Sequence, residues 1–101
     1  MRRDIYQAIA DPTRRAILSL LAAGAMTPNA VAAHFDSSRQ AVSKHIQILA
    51  ECGAVKQAQQ GREIYYHLDF NKMKEIDQWM DTLRKQWENR FDQLDNLLDN
   101  I

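Results

Sequence analysis

Between Ser37 and Val55 the chain spells out one helix with both ends marked, and the residues after it cannot continue that helix. Ser37 or Ser38 supplies an N-cap oxygen, and Ser37 with Gln40 has the spacing of a capping box. Val42, Ile46 and Leu49 recur at i, i+4 and i+7, one apolar stripe for a core. Gly53 stands where a left-handed C-terminal turn needs no Cβ. Beyond it the apolar period changes from about 3.6 to 2, since Val55, Gln57 and Gln59 alternate with Lys56 and Ala58. Ile64, Tyr66 and Leu68 then alternate with Tyr65 and His67, and Gln60-Gly61 supplies a turn between the two runs. The spacing therefore predicts a helix that feeds directly into a two-stranded hairpin.

The face opposite that stripe carries Arg39, Gln40, Ser43, Lys44 and Gln47 with no acidic residue; Glu51 comes only at the far end. Arg pairs with guanine, Gln with adenine, and Ser reaches bases or phosphate, so such a face suits the DNA major groove. A solvated helix surface is the plainer reading of the same residues. The preceding segments favour the first. Arg3 to Ala10 reads as a short helix with Ile5, Ala8 and Ile9 on one side. Asp11-Pro12 opens a second helix to about Ala23 that buries Ile17, Leu18 and Leu21. Thr27-Pro28 opens a third, with Val31 and Phe35 inward. A tight Asp36-Ser37-Ser38 connection then gives a helix-turn-helix. The hairpin after it is a wing, and its tip, with Gln60 and Arg62, suits the DNA backbone or minor groove.

Asp69 caps a last helix predicted to run over 69–101, 33 residues that would span roughly 50 Å. Met73, Met80, Trp87, Leu94 and Ile101 fall seven apart, and Ile76, Leu83, Arg90 and Leu97 form a second row. Trp79, Phe91 and Leu98 widen the stripe. A small domain cannot cover the half beyond Trp87, so a second copy is expected to. The expected dimer surface comprises Ile5, Ile9, Met80, Leu83, Trp87, Phe91, Leu94 and Leu98.

The whole of 1–101 reads as a single domain. Its formal charge of zero conceals a split. Residues 1–67 hold eight Lys/Arg against five Asp/Glu, and residues 68–101 hold five against eight, so +3 is followed by −3. The uncharged run from Ala16 to Phe35 is broken by Ser19, Gly24, Thr27, Pro28 and Asn29, too early for a membrane span. No apolar signal region comes directly after Arg2 and Arg3, and a cytoplasmic location is expected. A single cysteine, Cys52, excludes an internal disulfide; with no resolving partner it reads as a packing residue more than a redox sensor. His45 is open to two readings, a phosphate contact or a partly buried hydrogen-bonding group. Trp79 and Trp87 could line an effector pocket, but a dimer seam explains their spacing with less. No nucleophile–base motif or phosphate loop is present, and no enzyme is expected.

Several segments together resemble the arsenical-resistance repressor (ArsR) family: Ala-Asp-Pro-Thr-Arg-Arg-Ala-Ile-Leu-Ser-Leu-Leu (10–21), Ala-Val-Ser-Lys-His-Ile-Gln-Ile-Leu (41–49), Gly-Ala-Val (53–55) and Gly-Arg-Glu-Ile-Tyr-Tyr-His-Leu (61–68). The resemblance covers nearly the whole chain in order. It implies a mainly α fold with a small β-hairpin, a winged helix-turn-helix with a long C-terminal dimerisation helix. It implies a homodimeric repressor on pseudo-palindromic double-stranded DNA, with contact positions at Arg39, Gln40, Ser43 and Lys44. The family's metal-binding thiolates would fall near Thr27 and Asn29, which do not bind soft metals, and no His comes after His67 for a site on the long helix. No metal or cofactor is therefore expected, and the effector is left unassigned. The rival reading is a winged-helix module that docks a protein and is indifferent to DNA.

Overall fold

The computed structural model describes residues 3–100 as five helices and one hairpin. The helices are α1 (Ile5–Ala8), α2 (Pro12–Ala22), α3 (Pro28–Ala32), α4 (Arg39–Glu51) and α5 (Phe70–Asp99); β1 (Val55–Gln60) and β2 (Glu63–Leu68) lie between the last two. Among the described residues no helix is long and apolar enough to cross a membrane.

Caps place most of these boundaries. Asp11 accepts from the Arg14 N–H, Thr27 from that of Ala30 and Asp69 from that of Lys72, and each opens the helix expected of it. One of the two serines expected at the start of α4 is its cap. Three helices are shorter than expected: α1, α3, which ends at Ala32 before Phe35, and α5, which ends at Asp99. The cap of α4 is Ser38, which accepts from the Ala41 N–H at 3.1 Å, so Ser37 and Gln40 form no capping box. The first helix is four residues, not eight, and starts at Asp4, whose carboxylate and the Gln7 side chain make a capping box of their own. So short a helix cannot hold itself together. Arg14 donates to the Gln7 and Ala8 carbonyls at 2.8 and 3.2 Å, Arg15 donates to the Ile9 carbonyl at 2.7 Å, and Arg3 pairs with Glu51 on α4.

The core is made by residues 5–68. Ile5, Ile17, Leu21, Val31, Val42, Ile46 and Leu49 are among its buried side chains, and Met73 and Ile76 of α5 pack on it from outside. Burying a side chain of this size contributes roughly 1.5–3 kcal/mol, so the stripe Val42, Ile46 and Leu49 suffices to fix which face of α4 turns outward. Ile5 corrects an expectation. Its side chain is wholly enclosed within the protomer and offers no surface to a partner. Ile9 is only partly buried.

Helix α4 ends in a Schellman turn. The Ala54 N–H reaches the Leu49 carbonyl and the Gly53 N–H that of Ala50, with Gly53 at φ +78°. A Cβ there would meet the Lys72 side chain at 3.3 Å. Strand β1 then pairs antiparallel with β2, Val55 opposite Leu68 through Gln60 opposite Glu63. The two-residue turn is therefore Gly61-Arg62, one residue later than Gln60-Gly61, with Gly61 supplying φ +63°. Met26 exchanges two backbone hydrogen bonds with Tyr66, adding a one-residue third strand that ties the α2–α3 connection to the wing. At the hairpin base the Asp69 N–H donates to the Ala54 carbonyl at 2.9 Å.

Helix α5 contributes no buried side chain. Tyr6 of α1 meets the Trp79 ring edge-on at 5.5 Å. Farther along, Trp87 and Phe91 touch each other at 5.0 Å but no helix of the protomer covers them; Trp87 is 61% and Leu97 65% exposed. Ile101, the end of the first heptad row, lies outside the described residues.

Candidate nucleic-acid interface

With Val42, Ile46 and Leu49 turned inward, Arg39, Gln40, Ser43, Lys44 and Gln47 are all exposed and line one shallow, open concavity along α4. No carboxylate interrupts it. The five side chains named from periodicity thus share one surface. Its chemistry is that of long donors with neutral hydrogen-bonding groups between them, which is what reading base edges through the major groove needs.

The wing brings Arg62 to the same side of the molecule. It sits in the turn rather than beside it and lines a second cleft with Arg39, Thr27 and Asn29. Gln60 closes β1 opposite Glu63, exposed. The convergence of the α3 start with the wing was not visible in sequence, because the Met26–Tyr66 bridge that brings them together is a backbone contact with no side-chain signature.

His45 points elsewhere. At 3.6 residues per turn it lies almost opposite the centre of the polar face, with its Nδ1 buried, without a hydrogen-bond partner and 4.0 Å from Asp11 Oδ2. The phosphate reading of this residue is not supported by that placement. The Asp11 carboxyl is held below the usual carboxylate range by the Arg14 backbone N–H, with the His45 ring adding to it. Burial pushes the Cys52 thiol up, away from the reactive thiolate, as expected of a packing residue. Among the described residues no three His, Cys, Asp or Glu side chains come together in a metal-binding group.

Residues 9–58 match the sequence profile of a helix-turn-helix domain family. The transcriptional repressor SdpR of Bacillus subtilis (strain 168) is 38% identical over 77 residues, which is 76% of this chain and 86% of SdpR. The crystal structure of an ArsR family transcriptional regulator superposes with a TM-score of 0.76 at 33% identity, covering 83% of this chain and 92% of that one. The chain belongs to the ArsR family. It is a DNA-binding transcriptional regulator with the winged helix-turn-helix fold, in which α3 and α4 form the helix-turn-helix and β1–β2 the wing. The HTH-type transcriptional regulator CmtR of Mycobacterium tuberculosis (strain ATCC 25618 / H37Rv) is 42% identical over 62 residues. That match spans 61% of this chain and about half, 52%, of CmtR.

Proposed function

We propose that this ArsR-family regulator is a homodimeric repressor that binds a two-fold symmetric operator, each α4 entering a major groove and each wing gripping the adjacent backbone. The observation that carries the reading is the uninterrupted face of Arg39, Gln40, Ser43, Lys44 and Gln47, exposed on a helix whose other side is fixed in the core. The dimer reading is supported by α5, whose Met80, Leu83, Trp87, Phe91, Leu94 and Leu98 are about half exposed on a helix with no buried residue. Two recognition helices related by a dyad read half-sites about one helical turn apart, ~10 bp, or a multiple. Repression results from occupying the promoter, in the cytoplasm.

The two DNA surfaces differ in chemistry, and that difference is the test. Gln40→Ala removes a base-reading group without removing charge. It should cost ~1–3 kcal/mol per lost bidentate contact on the cognate duplex and leave scrambled DNA unaffected. Arg62→Ala removes a cation, so it should weaken both duplexes and flatten the log–log salt slope by about one per lost phosphate contact. Fluorescence anisotropy on both duplexes at several salt concentrations gives all four comparisons. Equal losses on both duplexes for Gln40→Ala would mean that α4 does not read sequence through that residue. Indifference of the wild-type chain to every duplex at low salt would indicate a protein-docking module instead.

A further inference from the structure

Three elements distant in sequence meet at one cleft of about 340 Å3. Thr27 and Asn29 line it from the start of α3, Arg39 from the first turn of α4, and Arg62, Glu63 and Ile64 from the wing. Arg39 and Arg62 are both exposed, and among the described residues neither has an acidic side chain within ion-pair distance. Two guanidiniums that share a cleft repel one another unless an anion lies between them. Thr27 Oγ1 accepts from the Ala30 N–H, which leaves its hydroxyl hydrogen to donate into the cleft, and the Asn29 amide adds further donors. The one opposing group is Glu63, whose Oε2 already accepts from the Tyr65 hydroxyl at 3.0 Å. Two cations therefore face one carboxylate.

We propose that this cleft seats a single phosphodiester of the operator backbone, gripped by Arg39 and Arg62 together and flanked by Thr27 and Asn29. The inference rests on the DNA-binding reading and adds to it where the backbone passes. A strand separates the major groove that α4 enters from the neighbouring groove that the wing approaches, and the cleft lies between those two elements. A phosphodiester has two non-bridging oxygens, each able to accept more than one hydrogen bond, so guanidiniums approaching from α4 and from the wing can both donate to one phosphate. Recognition helix and wing then act as one clamp, not as two separate attachments.

The test uses an operator duplex obtained by in vitro selection, synthesised with one neutral methylphosphonate at successive backbone positions. At one position per half-site the wild-type dimer should lose about tenfold to a hundredfold in affinity, the range expected for hydrogen bonds to a charged group. Arg39→Ala and Arg62→Ala should each blunt the penalty at that same position, and the double variant should abolish it. Arg62→Lys should keep the salt slope yet blunt the penalty in part, and far-ultraviolet circular dichroism should show all four variants folded. Loss of sensitivity at two different positions by the two single variants would overturn the shared seat while leaving DNA binding intact. Failure of the wild type to bind any duplex would overturn the functional reading itself. Tight binding of inorganic phosphate to the DNA-free protein, abolished by Arg39→Ala, would assign the cleft to a free anion and overturn the proposal.

Discussion

Residues 5–68 and residues 70–99 are built on opposite terms. Every buried apolar side chain of the described chain belongs to the first set, from Ile5 to Leu68; the thirty residues of α5 have none, although their apolar rows are as regular as any in the molecule. The winged module encloses its core within one protomer, with only Met73 and Ile76 of α5 added from outside residues 5–68. The helix has a strong pattern, and among the described residues only Tyr6 and the core beside Met73 and Ile76 meet it. Periodicity alone thus reports that a face will be covered. It does not report by which chain.

Perturbing each region in turn sharpens the contrast, and the largest effect belongs to α5. Trp87→Glu combined with Leu94→Glu should convert a dimer to monomers, since losing a buried aromatic alone costs ~3–5 kcal/mol and an unpaired buried charge adds to it. Sedimentation velocity at micromolar concentration reads this directly, and a wild-type monomer there would remove the basis of the comparison. Leu49→Ala comes next. It should cost about 2–5 kcal/mol through the cavity it leaves in the module. The two variants should separate in thermal unfolding, because a dimer's midpoint depends on protein concentration. Leu49→Ala should keep that dependence at a lower midpoint, whereas the α5 variant should lose it. Ser38→Ala removes only the cap of α4 and should cost about 1 kcal/mol, read by denaturant titration, with no change in assembly.

How far the sequence led obeys the same division. The elements, their order and the polar face of α4 were legible because caps and periods are local properties. Ser38 rather than Ser37 caps α4, and Gly61-Arg62 rather than Gln60-Gly61 turns the wing, because neighbouring candidates of like chemistry leave the phase open by one residue. Ile5 was placed on the wrong surface for a deeper reason. Ile5 and Ala8 of the four-residue α1, with Ile9 at its C-cap, form one apolar side whether that side meets the protomer's own core or another chain. The cleft joining α3 to the wing depends on backbone pairing at Met26, which no side chain encodes.

The smallest expected effect is one of pH. The Asp69 carboxyl is held below the usual range by the Lys72 backbone N–H and, beside it, the Lys56 ammonium 3.4 Å away; Asp11 is held down chiefly by the Arg14 N–H. Both folded-state values are depressed. Their contributions are therefore fully present above the unfolded carboxylate value and are lost as pH falls through the lower, folded one. Stability should decline gradually as pH falls below about 4, and Asp11→Asn should flatten that decline. An unchanged acid limb in Asp11→Asn would show that this cap carries no linked proton.

The bond from the Asp69 N–H to the Ala54 carbonyl, with Gly53 against Lys72, joins the end of α4 to the beginning of α5 across the neck of the wing. In the proposed dimer, DNA reader and dimer arm would then meet at one corner closed by a backbone hydrogen bond, with the hairpin inserted above it. In a dimer the separation of the two readers is then a ruler cut at that corner. Lengthening the wing by a pair of residues per strand would change how far it reaches along the groove and leave the ruler unaltered; one residue added between Gly53 and Val55 would miscut it.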